Sequence, residues 1–256
     1  MNINDKIIEQ NRYNYASEKK LKLNNYQTNK IGSQAYSLYI QPPYIKYESL
    51  IKEITDRNHN VFQLDLCCGD GLHSFTAASQ GANVIALDFA ENSIEIAKRR
   101  AKEFGITIDF KVCDVENLPF DENSFDLITC IGSLSYLNHD VFISEVKRVL
   151  KPGGVFICVD SLNHNIFYRL NRFIHFLKKE RSYSTLKRMP TISTVNKIGN
   201  SFSNINTYYF GIFIFIEPIL KLFINEEKVA NLILKLDYMF PIFNKYAFKI
   251  VFKTIK

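Results

Sequence analysis

The period of the apolar positions changes along the chain and divides it into segments. Residues 1–33 are polar, rich in lysine and asparagine, and hold no steady period, so they read as a mobile arm or a loosely docked helix. After Pro42 and Pro43 the pattern tightens, and Tyr44, Tyr47, Leu50, Ile51 and Ile54 fall on one helical stripe that ends near Asn58. Residues 61–66, "VFQLDL", are then a short apolar run of strand type. Helix and strand patterns alternate from there. A helix ends at Gly81 and a strand follows at 83–88. The next helix carries Ile94, Ala97, Ala101 and Phe104 and stops at Gly105, and strands are expected at 108–114 and 125–131. Val141, Phe142, Val146, Val149 and Leu150 make another helix, closed by "KPGG", before a fifth strand at 155–160. Five strands interleaved with helices predict an α/β fold built on a doubly wound, mostly parallel sheet with right-handed crossovers.

Beyond residue 204 two β-rich runs, 205–215 and 247–255, are expected to pair as antiparallel sixth and seventh strands that complete a seven-stranded sheet. Between them Val229, Leu232, Ile233, Leu236, Met239 and Phe240 recur at helical spacing, as a core or lid helix, with a lipid-substrate groove as the alternative. The expected organisation is an N-terminal arm or cap (1–43), a nucleotide-binding type of core (44–160), a basic helical lid insertion after strand five (161–204) and the closing strands with their intervening helix (205–256).

Length and composition narrow the class. A chain of 256 residues, 46% hydrophobic and 23% charged, can bury a full core without disulfides or a structural metal. The longest apolar run, 208–216, is stopped by Glu217 and Pro218 and is too short to span a bilayer, which leaves peripheral membrane contact open. Five cysteines, an odd number with no CxxC pair, predict a reduced, cytoplasmic protein with buried thiols. Cys67 and Cys68 are adjacent, so their side chains diverge, and no second cysteine or histidine pair stands at metal-ligand spacing. They read as packing residues, and no metal site is expected.

In a doubly wound sheet ligands sit beyond the carboxyl ends of the strands, where strand order reverses. Asp65, Asp88, Asp114 and Asp160 stand at such ends, where a carboxylate can face a cleft. Gly69 and Gly71 let the backbone approach a ligand and turn its amides towards a carboxylate. Asp65 can then take an ammonium group. Asp88, 17 residues past Gly71, is placed to accept from two ribose hydroxyls, with Phe89 beside it for a purine ring.

These pieces resemble a known family. "LDLCCGDG" is similar to the first motif of the class I S-adenosylmethionine-dependent methyltransferases, and "ALDFAENSIEIAKRRA", "CDVENLPFDENSFDLITC" and "EVKRVLKPGG" follow in the family's order over roughly residues 60 to 160. The resemblance implies a Rossmann-like fold and S-adenosyl-L-methionine as cofactor, held by Asp65, Cys67, Gly69, Asp70, Gly71, Asp88 and Phe89. It further implies that Asp114 bonds the adenine amino group, that the backbone of Val115 reads the ring, and that Ile131 lies near the cofactor. Cys67 departs from the pattern, since many relatives have glycine there, and cofactor affinity is the property this touches.

Two other readings stand beside methyl transfer: a catalytically inactive binding or scaffold protein of the same fold, and an NAD(P)-dependent oxidoreductase, since "GDGLHS" is a loose G-x-G-x-x-G. Ser74 at the last glycine position fits the oxidoreductase poorly.

A hydroxyl or amine acceptor sheds a proton when it is methylated, so a base is sought near the ends of strands four and five. Tyr136, His139 and His164 are the candidates, His164 foremost. Residues 161–200 hold eight lysines and arginines against one glutamate, while the whole chain is +6, so the basic character sits in the insertion. Ile166, Phe167, Leu170, Phe173, Ile174 and Leu177 are expected to pack one face of a helix there, with Arg169 and Arg172 on its flank. With Arg181, Lys187 and Arg188 these cations would close a lid over a small anionic acceptor such as a phosphorylated sugar or nucleotide sugar. The segment is weakly similar to the lid of methyltransferases encoded with surface-polysaccharide enzymes. No RNA-binding motif or stacking platform accompanies the charge, which argues against nucleic acid. Oligomeric state is left open.

Overall fold

The computed structural model describes residues 3–23, 30–178 and 182–256. The chain runs through α1 (Ile3–Lys22), a 3₁₀ turn (Gly32–Ala35), α2 (Pro42–Arg57), β1 (Phe62–Leu66), α3 (Phe75–Ala78), β2 (Asn83–Asp88), α4 (Glu91–Phe104) and β3 (Asp109–Val112). It continues through β4 (Phe125–Ile131), a 3₁₀ turn (Leu134–Tyr136), α5 (His139–Val149), β5 (Leu150–Ser161), α6 (Ile166–Leu177), α7 (Tyr183–Lys187) and α8 (Ile192–Asn200). The last part is β6 (Asn204–Phe210), a 3₁₀ turn (Ile214–Ile216), α9 (Glu217–Leu220), α10 (Glu226–Met239), a 3₁₀ turn (Pro241–Tyr246) and β7 (Lys249–Ile255).

Seven strands form one sheet in the order β3-β2-β1-β4-β5-β7-β6. The first five are mutually parallel, and β7 runs antiparallel between β5 and β6. Strand order reverses between β1 and β4, so the carboxyl ends of these two strands mark the ligand crevice of such a sheet. One face is covered by α2, whose Tyr44, Tyr47, Leu50, Ile51 and Ile54 are buried as the stripe predicts. The other packs Phe142, Val146 and Val149 of α5 and Val195 and Ile198 of α8 against Ile128, Phe156 and Phe252.

Several elements depart from the pattern-based expectation, each for a local reason. The connection from β3 to β4 contains no helix. Residues 113–124 cross as irregular chain, held because Arg148 donates to the carbonyls of Leu118 and Phe120 while Glu145 accepts from the Leu118 amide. The apolar run 205–215 is a strand only to Phe210. Gly211 then turns at φ +72, and the buried Asp237 of α10 accepts from the amides of Gly211 (2.6 Å) and Phe213 (3.1 Å), which draws the chain off the sheet. A carboxylate with two charge-assisted partners outweighs the strand propensity of the aromatic residues.

Within the N-terminal segment, residues 3–22 take the docked-helix form of the expectation. α1 docks on α4, with Ser17 and Ser93 hydroxyls 2.9 Å apart and the Asn92 amide donating to Asn14. α6 departs from its expectation. None of its residues is buried: most of its apolar stripe is exposed, Phe167 stacks on Phe215, and Ile166, Leu170 and Phe173 line an open groove with Leu186 of α7.

Candidate active site

A cavity of about 310 Å³ opens at the carboxyl ends of β1, β2 and β4, beneath α1. Of the expected site residues, Asp65, Cys67, Gly69, Asp88, Phe89, Asp114, Val115, Ile131 and Tyr136 all line it. Asp65 ends β1 with both oxygens engaged by hydroxyls, Ser74 Oγ at 2.6 Å and Thr129 Oγ1 at 2.7 Å. Burial raises its pKa to about 6, and those two hydroxyls pull the other way. Asp88 accepts from the amides of Gly69 (2.8 Å) and Ala90 (2.9 Å), and burial pushes its carboxyl above the usual range. Each carboxylate oxygen keeps lone-pair capacity for a ligand.

The turn between β1 and α3 explains its residues. Cys67 has φ +57 and Gly69 φ +55, both left-handed. A Cβ built on Gly69 meets nothing within 4 Å, whereas one on Gly71 would lie 2.9 Å from the Ala97 Cβ. Gly71 therefore serves the packing of the turn on α4, and Gly69 leaves room in the cavity. Cys67 holds the glycine-like conformation with a side chain. Its thiol lies against Cys130, that contact and burial raise its pKa, and Cys68 packs into a different apolar cluster. All five cysteines are free.

Asp70 does not line the cavity. It pairs with Arg100 (2.9 Å) and Lys20 (3.0 Å), which outweigh its burial and hold its carboxyl low. α1 thus reaches the cofactor-side loops at both ends, since Lys6 pairs with Asp114 and Glu116 (2.6 and 2.7 Å) and Gln10 donates to the Phe89 carbonyl. Tyr13 packs edge-on against Phe89 and Tyr136, and Glu9 lines the cavity with its Oε1 buried and lacking a hydrogen-bond partner.

The remaining expected residues lie elsewhere. Asp160 turns inward and accepts from the amides of Leu134 and Ser161. His139 and His164, expected as bases, do not line the cavity, because His139 Nε2 bonds the Leu134 carbonyl and His164 Nε2 accepts from the Ile192 amide. Arg169 and Lys187 are exposed, Arg172 donates to the Tyr168 hydroxyl, and Arg188 carries a buried Nη1 without a hydrogen-bond partner. Arg181 lies outside the described residues.

Sequence reasoning missed four residues that the fold brings together. Tyr36 and Tyr44 stack with ring centroids 4.0 Å apart, His73 stacks on Tyr44 at 4.9 Å, and Lys249 at the start of β7 completes the group. The Tyr36 hydroxyl is 3.0 Å from His73 Nε2, while His73 Nδ1 is buried without a partner. Burial lowers the His73 pKa to about 4 and raises that of Tyr36, so both are neutral at pH 7. Lys249 forms no ion pair among the described residues. His73 follows the glycine turn by two positions, a signal that was available. Tyr44 is indistinguishable from the core stripe of α2, and Lys249 from an ordinary strand residue.

The order of strands and the site at the β1–β4 reversal define the class I methyltransferase fold. Comparison with known proteins agrees with this fold: residues 64–154 match the methyltransferase domain family. It is 31% identical over 151 residues to the sterol 4-C-methyltransferase strm-1 of Caenorhabditis elegans, covering 58% of this chain and 45% of that protein. It is 39% identical over 103 residues to the demethylmenaquinone methyltransferase of Lactococcus lactis, covering 38% of this chain and 41% of that one. The chain spans less than half the length of these two relatives. Among solved structures, the YcgJ protein of Bacillus subtilis superposes with a TM-score of 0.57 at 21% identity over 83% of this chain and 98% of its own. A geranyl diphosphate methyltransferase superposes at 0.56 and 15% identity over 81% of this chain and 76% of its own; at these identities the likeness is one of fold.

Proposed function

We propose that this chain transfers a methyl group from S-adenosylmethionine to a small anionic acceptor. The observation that carries the reading is one cavity lined both by the carboxylates Asp65 and Asp88 around an open glycine turn and by the cation Lys249. The residues fit the cofactor. Asp65 would take its ammonium group, Asp88 its ribose hydroxyls, and the Asp114–Val115 segment with Phe89 its adenine, while the room beside Gly69 accommodates it. The bound cofactor supplies an already activated methyl group, so the chain's own work is alignment and exclusion of water.

At the acceptor end Lys249 supplies positive charge, and the Tyr36 and Tyr44 hydroxyls orient the acceptor. The neutral His73 imidazole accepts a proton at Nε2, or passes a hydrogen bond through Tyr36, when a hydroxyl or amine is the nucleophile. We retain the finer reading of a phosphorylated sugar or nucleotide sugar. Arg188, a cation with a buried unpartnered Nη1 in the segment after α7, supports it, because α7 packs against the 3₁₀ turn that carries Tyr136.

The test is transfer of labelled methyl from S-adenosylmethionine to matched pairs of acceptors, phosphorylated and dephosphorylated sugars and nucleotide sugars. Label on the anionic member only, lost in Lys249→Gln, is the expected outcome. Equal labelling of both members would refute the anionic acceptor, and cofactor binding with no labelling of any acceptor would favour a non-catalytic protein.

A further inference from the structure

Two thirds of the exposed large apolar side chains among the described residues fall between Ile166 and Tyr246, less than a third of the chain. On α6, Ile166, Leu170 and Leu177 are 70%, 57% and 63% exposed. Beyond it Phe223, Tyr238 and Ile242 stand out at 79%, 90% and 79%. Aromatic contacts join the two segments. Phe167 of α6 stacks on Phe215 at 5.2 Å, Phe215 meets Phe213 at 6.3 Å, and Phe213 touches Phe240 and Phe243 at 5.8 and 6.3 Å. The side chain of Asn165 donates to the Tyr246 carbonyl and ties the start of α6 to the last 3₁₀ turn.

Soluble proteins rarely leave so many bulky apolar side chains facing water in one region. The charge beside it selects what covers it. Residues 166–178 carry three cations and no acid, and residues 213–246 carry four of each, so the face is net +3. Arg169 and Lys178 flank the apolar stripe of α6, and Lys221 and Lys245 flank the second half. An amphipathic helix with bulky apolar side chains on one side and lysine and arginine along its flanks is the arrangement that lies in the interfacial plane of a bilayer. A second copy of this chain would bring the same net positive face against itself, and like charges oppose that contact.

We infer that this face, α6 together with the segment from Phe213 to Tyr246, docks the protein on an anionic membrane surface. The position of the face matters for the site. Tyr168 of α6 packs edge-on against Phe248 at 5.1 Å, next to Lys249 in the cavity, so docking brings the acceptor end of the cavity to the lipid interface. An acceptor partitioned in the interface would then enter without crossing bulk water. The docking itself does not depend on the methyl-transfer reading.

The test is co-sedimentation of the full chain with vesicles of phosphatidylglycerol and phosphatidylcholine in equal parts, and with phosphatidylcholine alone. The protein is expected to pellet with the anionic vesicles, and raised salt should weaken this, because anionic lipid attracts juxtaposed cations within a Debye length. The double substitution Leu170→Glu with Phe173→Glu should lower the partition coefficient about tenfold or more, since two side chains lose apolar burial in the interface. Val141→Glu, at an exposed apolar position of α5 outside the face, should leave it unchanged. Circular dichroism and binding of S-adenosylhomocysteine establish that each variant is folded. Failure to pellet with anionic vesicles, or equal pelleting of the double variant, overturns the inference. So does a stable dimer by light scattering that the double variant dissociates, which would assign the face to a second copy.

Discussion

Lys6 Nζ of α1 lies 2.6 Å from Asp114 Oδ2, the carboxylate at the end of β3 that the family resemblance assigns to the adenine amino group. With Lys20 on Asp70 at the other end, the N-terminal helix is pinned across the cofactor side of the cavity by ion pairs at both its ends. Desolvation works against the Lys6 charge, but hydrogen bonds to Asp114 and Glu116 raise its pKa nonetheless. Of the mobile arm and the docked helix that the first residues allow, α1 is the docked helix, lying over the cavity.

If α1 gates the cofactor, weakening its two ends should speed release. Partly exposed pairs of this kind contribute about 0.2–1 kcal/mol each, so Lys6→Ala with Lys20→Ala should raise the dissociation rate of S-adenosylhomocysteine roughly twofold to thirtyfold. Surface plasmon resonance reads the rate. An unaltered rate in the folded double variant assigns α1 a purely structural role.

Asp65 makes cofactor affinity depend on pH. Its folded-state pKa, about 6, is raised from 3.8 by burial, so between those values the unliganded protein holds a proton that the unfolded chain has lost. Ionising Asp65 therefore costs stability as pH rises through that window, and an ammonium group bound to it relieves the cost. Affinity for S-adenosylmethionine should be full above about pH 7 and fall below pH 6, approaching tenfold per pH unit. Titrations across pH in wild type and Asp65→Asn check this, with a flat and weaker profile expected in the variant. A flat profile in the wild type would remove Asp65 from the ammonium site.

Replacement of Asp88 should cost both binding and order. Two charge-assisted hydrogen bonds to ribose hydroxyls, each worth about 1.5–3 kcal/mol, are lost in Asp88→Ala, so cofactor affinity should drop by at least ~100-fold. The same carboxylate holds the amides of Gly69 and Ala90, so the unliganded variant should also melt earlier. Calorimetric titration and thermal melting separate the two effects, and an unchanged dissociation constant in folded protein would falsify the assignment.

The end of the cavity that we propose holds the cofactor was foreseeable as a cleft because its residues are local. Asp65, Cys67, Gly69, Asp88, Phe89, Asp114, Val115 and Ile131 come from strand ends and the turns after them, where period and turn chemistry speak directly, and all of them line the cavity. The acceptor side was not legible, since it is assembled from segments far apart in the chain. Tyr36 comes from the loop before α2, His73 from the turn after β1, and Lys249 from a strand that the topology inserts beside β5. His139 and His164 stand near the right strand ends, but each has its Nε2 bonded to a nearby backbone group and lies outside the cavity. The apolar period of α6 correctly foretold a helix; it carries no information about whether the apolar side meets protein or water.

The acceptor end yields its own expectation. Lys249→Gln should raise the acceptor's KM by ~10-fold or more and leave cofactor affinity alone, because a charge-assisted bond of ~1.5 kcal/mol or more is removed from one partner only. His73→Gln should instead lower kcat, with KM little changed, if the imidazole takes the acceptor's proton. Steady-state kinetics distinguish the pair. Parallel loss of cofactor binding in both variants would contradict the division of the cavity into two ends.

The most direct measurement of the central claim is calorimetric titration of the purified full chain with S-adenosylhomocysteine, alongside NADH and the Asp88→Ala variant. The account predicts one site per chain, a dissociation constant that weakens by at least ~100-fold in the variant, and no heat with NADH. Saturable binding of NADH at this site, or no binding of S-adenosylhomocysteine to folded wild-type protein, would contradict it.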